Sequence, residues 1–219
     1  MIVNKIDTFA GHRDCIYALV ASTQNSVFYS AAGDGMIVAW DLHQPDLGQP
    51  LAQLQASIFA MALEPQSQYL WVGQNYDGIH VIDPIHKKNL HSVQLTGAAI
   101  FDIQFYEDLA FVAVGDGTII VMDKLSFGIK KHLKASEQSA RCVAINPQTK
   151  EIAVGYSDHF IRIFDIETYE MRYAFKAHDN SVFTLKYSPD YRFLLSGSRD
   201  ARLKSWNVWE NYSLEKKTG

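Results

Sequence analysis

Gly33-Asp34-Gly35-Met36-Ile37-Val38-Ala39-Trp40-Asp41 is the stretch that organises the chain. A tight Asp-Gly turn leads into an apolar run, which closes on a large apolar residue followed by Asp. The same closure returns at Asp83, Asp123, Asp165 and Asn207, each after a large apolar residue: Ile82, Met122, Phe164 and Trp206. The runs before them, Ile79–Ile82, Thr118–Met122, Phe160–Phe164 and Ala201–Trp206, are short and mostly rich in β-branched and aromatic residues, so they read as strands. Turn signals stand ahead of each run, at Asp77-Gly78, Asp116-Gly117, Ser157-Asp158 and Arg199-Asp200. Asp-Gly between apolar runs is a strong hairpin signal, because Gly tolerates positive φ.

Working outward from the turns, a second strand precedes each one: Val27–Ala31, Tyr69–Val72, Leu109–Val114, Glu151–Val154 and Phe193–Ser196. A third lies upstream: Ile16–Val20, Ile58–Leu63, Ile100–Phe105, Arg141–Ile145 and Val182–Tyr187. Pro65, Pro147 and Pro189 sit between the two, where a preset φ suits a turn. A further strand follows each closing residue, for example Met171–Phe175. No segment holds a helical period. Four strands in about 40–45 residues is the pattern of a propeller blade. Five such units, ending near 41, 83, 123, 165 and 207, are expected to make residues 1–219 a single all-β domain.

The residues of the first and last units carry a family resemblance. Gly11-His12 opens the first and Ala177-His178 the last. From each His, the offsets to a Ser, an Asp and a Trp are the same in both units: His12, Ser30, Asp34, Trp40 and His178, Ser196, Asp200, Trp206. The chain resembles the WD-repeat β-propeller family over almost its whole length. The three middle units lack the opening His and closing Trp, but Asp116 and Asp158 keep the turn Asp. The resemblance implies that the two quartets are structural hydrogen-bonded tetrads. The residue types fit: a buried Asp needs donors, a neutral His donates at one nitrogen and accepts at the other, and an indole only donates. A Ser-His-Asp triad is the competing reading, but it requires an exposed nucleophile and an oxyanion hole. Repetition at equal offsets favours a structural role.

Aligning the upstream strands puts Tyr17, Phe59, Phe101, Arg141 and Phe183 at one position. In the family this position faces the mouth of the central channel, where partners bind. Aromatics and Arg are the residue types that dominate binding hot spots, and a cation–π contact to a partner's Arg or Lys is one expectation there. The bland alternative is that some of the rings only pack between neighbouring strands. An Arg is not what a pure core selects.

The resemblance suggests seven blades as the usual number, and five are visible. Ile2–Phe9 reads as an outer strand, and Ser213–Lys217 as another. That makes six outer strands for five inner sets, so a larger ring is expected, with a closed five-bladed ring as the alternative. An open arc exposes apolar blade faces, and self-association is then expected.

Composition narrows the function classes. The 219 residues are 47% hydrophobic, which excludes a disordered chain. Two cysteines, Cys15 and Cys142, exclude a disulfide scaffold and a four-Cys zinc site, and are expected to be packing residues. The His residues outside the tetrads show no metal-ligand spacing, so no metal or cofactor is expected. No apolar stretch reaches the ~18 residues of a membrane span, and the N-terminus lacks a signal core, so the cytosol is the expected compartment. The net charge of −4 hides an acidic first half and a basic second half. The densest basic run, Lys130, Lys131 and Lys134, is too thin for a duplex-binding stripe, so nucleic acid is not an expected partner. The expected function is a non-catalytic scaffold that binds a peptide or protein segment at the channel mouth. The alternatives are a propeller hydrolase or lyase with a site at that mouth, and weak nucleic-acid binding through the basic C-terminal half.

Overall fold

Each closing Asp or Asn ends a strand because its side chain turns the chain back. In the computed structural model, which describes residues 4–218, the carboxylate of Asp41 accepts the His43 N–H at 2.9 Å. Asp83 takes the N–H groups of Ile85 and His86. Asp123 takes those of Leu125 and Ser126, and Asp165 those of Glu167 and Thr168. Asn207 takes that of Trp209. A short acceptor side chain bonding backbone two or three residues on is the Asx turn. The turn Asp residues do the same one hairpin earlier: Asp34, Asp116, Asp158 and Asp200 accept from Met36, Thr118, Phe160 and Arg202. In four of the five repeats the recurring Asp or Asn residues therefore cap two reversals.

Between the reversals, the described residues form twenty strands in five antiparallel sheets of four. The first sheet holds β1 (Ile16–Ala21), β2 (Val27–Ala32), β3 (Met36–Asp41) and β4 (Gln44–Gln53). The second holds β5 (Ile58–Leu63), β6 (Leu70–Gln74), β7 (Gly78–Asp83) and β8 (Lys88–Gln94). The third holds β9 (Ile100–Tyr106), β10 (Leu109–Val114), β11 (Thr118–Asp123) and β12 (Ile129–Lys134). The fourth holds β13 (Ala140–Asn146), β14 (Glu151–Tyr156), β15 (Phe160–Asp165) and β16 (Met171–Lys176). The fifth holds β17 (Val182–Tyr187), β18 (Phe193–Ser198), β19 (Leu203–Asn207) and β20 (Ser213–Thr218). Strand order follows chain order in every sheet. These are the five four-stranded blades expected from the spacing.

The chain divides into two compact units, Met1–Ile100 and Phe101–Gly219. In the first, Ala31 and Ile37 pack against Ile58 and Val72, joining sheets one and two. In the second, Ile152 and Val154 pack with Phe111 and Val121 of sheet three. Ala153 and Ile163 pack with Val182 and Leu194 of sheet five. The middle strands are covered on both faces, and β10 and β14 accordingly read as continuous apolar runs with few polar interruptions. The outermost strands are exposed and carry lysines, as in β12 and β20, which discourages edge-to-edge pairing.

Glycine is required at two places for different reasons. Gly117 has φ +90°, and a Cβ there would lie 2.0 Å from the Ser136 carbonyl oxygen. Gly48 has no conformational need, but its Cβ would lie 2.5 Å from the Trp40 ring, which lies against the backbone of β4.

Two expectations change. Ile2–Phe9 is not an outer strand over its described part: residues 4–10 form no ladder, while Ile2 and Val3 lie outside the described residues. The segment docks by a ring instead. Phe9 meets Phe28 edge-on at 5.0 Å and Trp40 at 5.7 Å. Cys15 is exposed rather than packed, because it precedes β1, whereas Cys142 is buried inside β13.

Candidate functional site

The tetrad residues come together in both units. In the first, Trp40 donates from Nε1 to Ser30 Oγ at 2.7 Å. Ser30 Oγ lies 2.7 Å from His12 Nε2, and His12 Nδ1 lies 3.2 Å from Asp34. In the second unit the same contacts are 2.9 Å for Trp206 to Ser196, 2.8 Å for Ser196 to His178, and 2.9 Å for His178 to Asp200. An indole can only donate, so the Ser hydroxyl passes its own proton on to Nε2, and Nδ1–H faces the carboxylate. Each relay thus runs Trp to Ser to His to Asp.

The surroundings hold that protonation pattern. Burial pushes the His178 pKa below the usual imidazole value, against the pull of Asp200. Burial pushes Asp200 up, but the Asp179 N–H, the His178 ring and the Arg202 N–H outweigh it and hold the carboxyl at about 2. Ser30 and Ser196 are each 1% exposed and already carry an indole donor. A substrate carbonyl has no approach to either hydroxyl, so the arrangement braces a blade and does not present a nucleophile.

The fourth blade keeps part of this device with other residues. Ser136 stands as far before Asp158 as His12 stands before Asp34, and its hydroxyl donates to Asp158 at 2.7 Å. Arg162 closes the other side with a two-pronged contact to Asp158 at 3.0 and 2.7 Å. Sequence reading missed Ser136, since a lone Ser carries no signal until the offset is measured.

The five aligned residues each occupy the second position of the first strand of their sheet: Tyr17 in β1, Phe59 in β5, Phe101 in β9, Arg141 in β13 and Phe183 in β17. In four of the five, the ladder skips that residue. Ile16 pairs Ala32 and Ala18 pairs Ala31, so Tyr17 has no partner. Phe59, Arg141 and Phe183 are skipped in the same way. Such a bulge re-aims the side chain of the extra residue out of the ladder.

The structure brings these residues together within each unit. In the first, the Tyr17 and Phe59 rings meet edge-to-face at 4.6 Å, and Tyr17 is 52% exposed. In the second, the Arg141 guanidinium carbon lies 3.9 Å from the Phe101 ring centre and 5.0 Å from that of Phe183. Phe183 is 44% exposed, and Phe101 and Arg141 are half-buried.

A row of serines just before the bulges fixes this end of the blades. Ser57 Oγ donates to the Gly33 carbonyl at 3.0 Å, within the first unit. Ser139 donates to Gly115 at 2.9 Å and Ser181 to Ser157 at 3.5 Å, within the second. Each serine lies two residues ahead of the aligned position, and each bond ties one blade to the preceding one.

Five blades with two such relays match a known repeat. The WD domain, G-beta repeat (WD40) matches residues 3–41, 128–165 and 169–207, together more than half of the chain. The chain belongs to the WD40 repeat family. Among WD-repeat relatives, it is 24% identical over 160 residues to WD repeat-containing protein SL1-17 of Schistosoma mansoni, covering 72% of this chain and 53% of that protein. It is 24% identical over 206 residues to THO complex subunit 3 of Arabidopsis thaliana, covering 90% and 63%. With Protein groucho of Drosophila melanogaster it shares 24% over 204 residues, 88% of this chain and 27% of that one. The chain thus spans less than two thirds of the length of each of these relatives. The three matched WD40 segments hold both complete tetrads and the Ser136 side of the fourth blade. Among the described residues no helix is long and apolar enough to cross a membrane, and no group of three or more His, Cys, Asp or Glu is placed to hold a metal ion.

Proposed function

We propose that this chain is a non-catalytic protein-interaction scaffold whose second unit grips a segment of a protein partner at Phe101, Arg141 and Phe183. The observation that carries the reading is the bulge. The fourth and fifth blades use the same break in the ladder to re-aim Arg141 and Phe183, and the Arg141 guanidinium lies over the Phe101 ring of the third blade, at the end where the serine bonds tie the blades. Rigid aromatics and Arg supply much binding energy at low entropic cost. Tyr17 and Phe59 form a second surface of this kind on the first unit. Relatives support the class of function: one is by name a subunit of a complex.

The other readings have less behind them. An enzyme needs acids, bases or a nucleophile in reach of substrate, and the aligned position offers none, while the Ser-His-Asp sets are sealed. In the basic run, Lys130 is paired with Asp123 at 3.0 Å and Lys134 with Glu137 at 3.2 Å, leaving little free charge for phosphates. The proposed compartment is the cytosol, supported by two free cysteines.

A photo-crosslinking residue at position 183 tests the site. The reading predicts a partner adduct from position 183 and none from position 173, on the exposed outer strand β16. Adducts from 173 alone would refute it.

A further inference from the structure

The Phe101–Arg141–Phe183 group is a cation site that is already filled from within. Two phenyl faces in this unit approach one guanidinium, at 3.9 and 5.0 Å. The expected cation–π contact with a partner's Arg or Lys at these rings is therefore made by Arg141 itself. This reverses the chemistry that the aromatic residues alone suggest.

The remaining valence of Arg141 lies in its edge. Stacking engages the faces of a guanidinium and leaves its five N–H donors in the plane. Among the described residues no carboxylate lies within ion-pair distance of Arg141, and none of its N–H groups has a protein acceptor. The acid nearest in sequence to the Phe101 wall is Asp102, and it is committed elsewhere. Its carboxylate takes the Val143 N–H at 2.8 Å, the Ile103 N–H at 2.8 Å and the Gln104 amide at 3.0 Å. A half-buried cation with unused donors carries a desolvation cost that an anion would offset.

We infer that Arg141 reads an acidic residue in the partner: an Asp or Glu carboxylate docks on the guanidinium edge, with an apolar neighbour against the exposed Phe183 ring. A carboxylate is favoured because it is planar and matches one guanidinium edge with two parallel hydrogen bonds. The inference rests on the proposed scaffold reading and names what its site selects.

The test is a nine-residue peptide library on the intact chain, random except for a central Glu, Asp, Gln, phosphoserine, Lys or Arg. The expected result is selection of Glu or Asp over Gln by about tenfold, lost in Arg141→Met. Arg141→Lys keeps the charge but not the two-pronged edge, and should lose most of the preference. Arg141→Ala removes the resident cation from the two rings, and selection should pass to peptide Arg. Thermal melting of each variant separates loss of binding from loss of fold. Binding without acid preference, acid preference that survives Arg141→Met, or a preference for phosphoserine over both acids overturns the inference and leaves the scaffold reading standing. No binding of any peptide overturns both.

Discussion

The guanidinium of Arg141 stacks on the ring of Phe101 with 3.9 Å between its central carbon and the ring centre. The two residues stand at the same position of neighbouring innermost strands. Their contact ties the third blade to the fourth at the end where binding is proposed. A double-mutant cycle with Phe101→Leu and Arg141→Met should return a coupling of about 0.5–2 kcal/mol, the range for an exposed to partly desolvated cation–π pair. Urea unfolding of the four proteins measures it. Additive effects would show that the stacking contributes nothing.

Ser196 is the junction of the second tetrad. Ser196→Ala leaves the buried His178 Nε2 and Trp206 Nε1 without partners, and each orphaned group costs about 1–3 kcal/mol. The variant should therefore lose a few kcal/mol by chemical denaturation. Loss of less than about 0.5 kcal/mol would show that the relay does not brace the blade.

The tetrad also sets a pH response. The folded protein holds His178 neutral, so the unfolded chain binds a proton first, at about pH 6.5. Stability from this group is complete above that pH and declines as pH falls below it. Asp200 follows the same sign lower down. Its contribution is present above about pH 4, where the unfolded carboxyl titrates, and is lost as pH falls towards the folded value of about 2. Urea midpoints from pH 8 to 3 should show both declines, and His178→Gln should flatten the upper one. An unchanged upper slope in that variant would assign it to another group.

Turn glycines give opposite effects from one rule. His159 and Ala201 occupy the place that Gly35 and Gly117 hold after their turn Asp, with φ of +77° and +62°. Ala201→Gly should stabilise the chain by about 0.5–1 kcal/mol, because a side chain in the left-handed region costs about 1–2 kcal/mol, less the added unfolded-state entropy. Gly117→Ala should destabilise it strongly, since the new Cβ meets the Ser136 carbonyl. Thermal melts of the two variants in parallel decide the point.

Much of the fold is written in residue types. The closing acids and the Asp-Gly turns betray themselves because only Asp and Asn cap these reversals well, and the apolar runs between them are too short for helices. The tetrads show as equal offsets because each is built from side chains of fixed hydrogen-bonding character. Other features leave no such mark. The bulge at Tyr17, Phe59, Arg141 and Phe183 is a backbone event that any residue can occupy. The bonds from Ser57, Ser139 and Ser181 end on backbone carbonyls, which carry no sequence signature. The Ile2–Phe9 expectation came from the segment's place ahead of the first Gly-His, and a strand also needs an edge to pair with. Aromatics at the aligned position suggested a site for a cation. That Arg141 supplies the cation is a matter of distance, not of sequence.

The central claim is that the aligned residues of the second unit, Phe101, Arg141 and Phe183, grip the partner. Quantitative affinity capture, with the wild-type chain beside a Phe101→Ala/Phe183→Ala variant that still melts cooperatively well above the capture temperature, tests it most directly. The account predicts that the specifically captured protein falls by about tenfold or more in the variant, the effect of removing two aromatic anchors. Equal recovery of the same protein by both chains would contradict it.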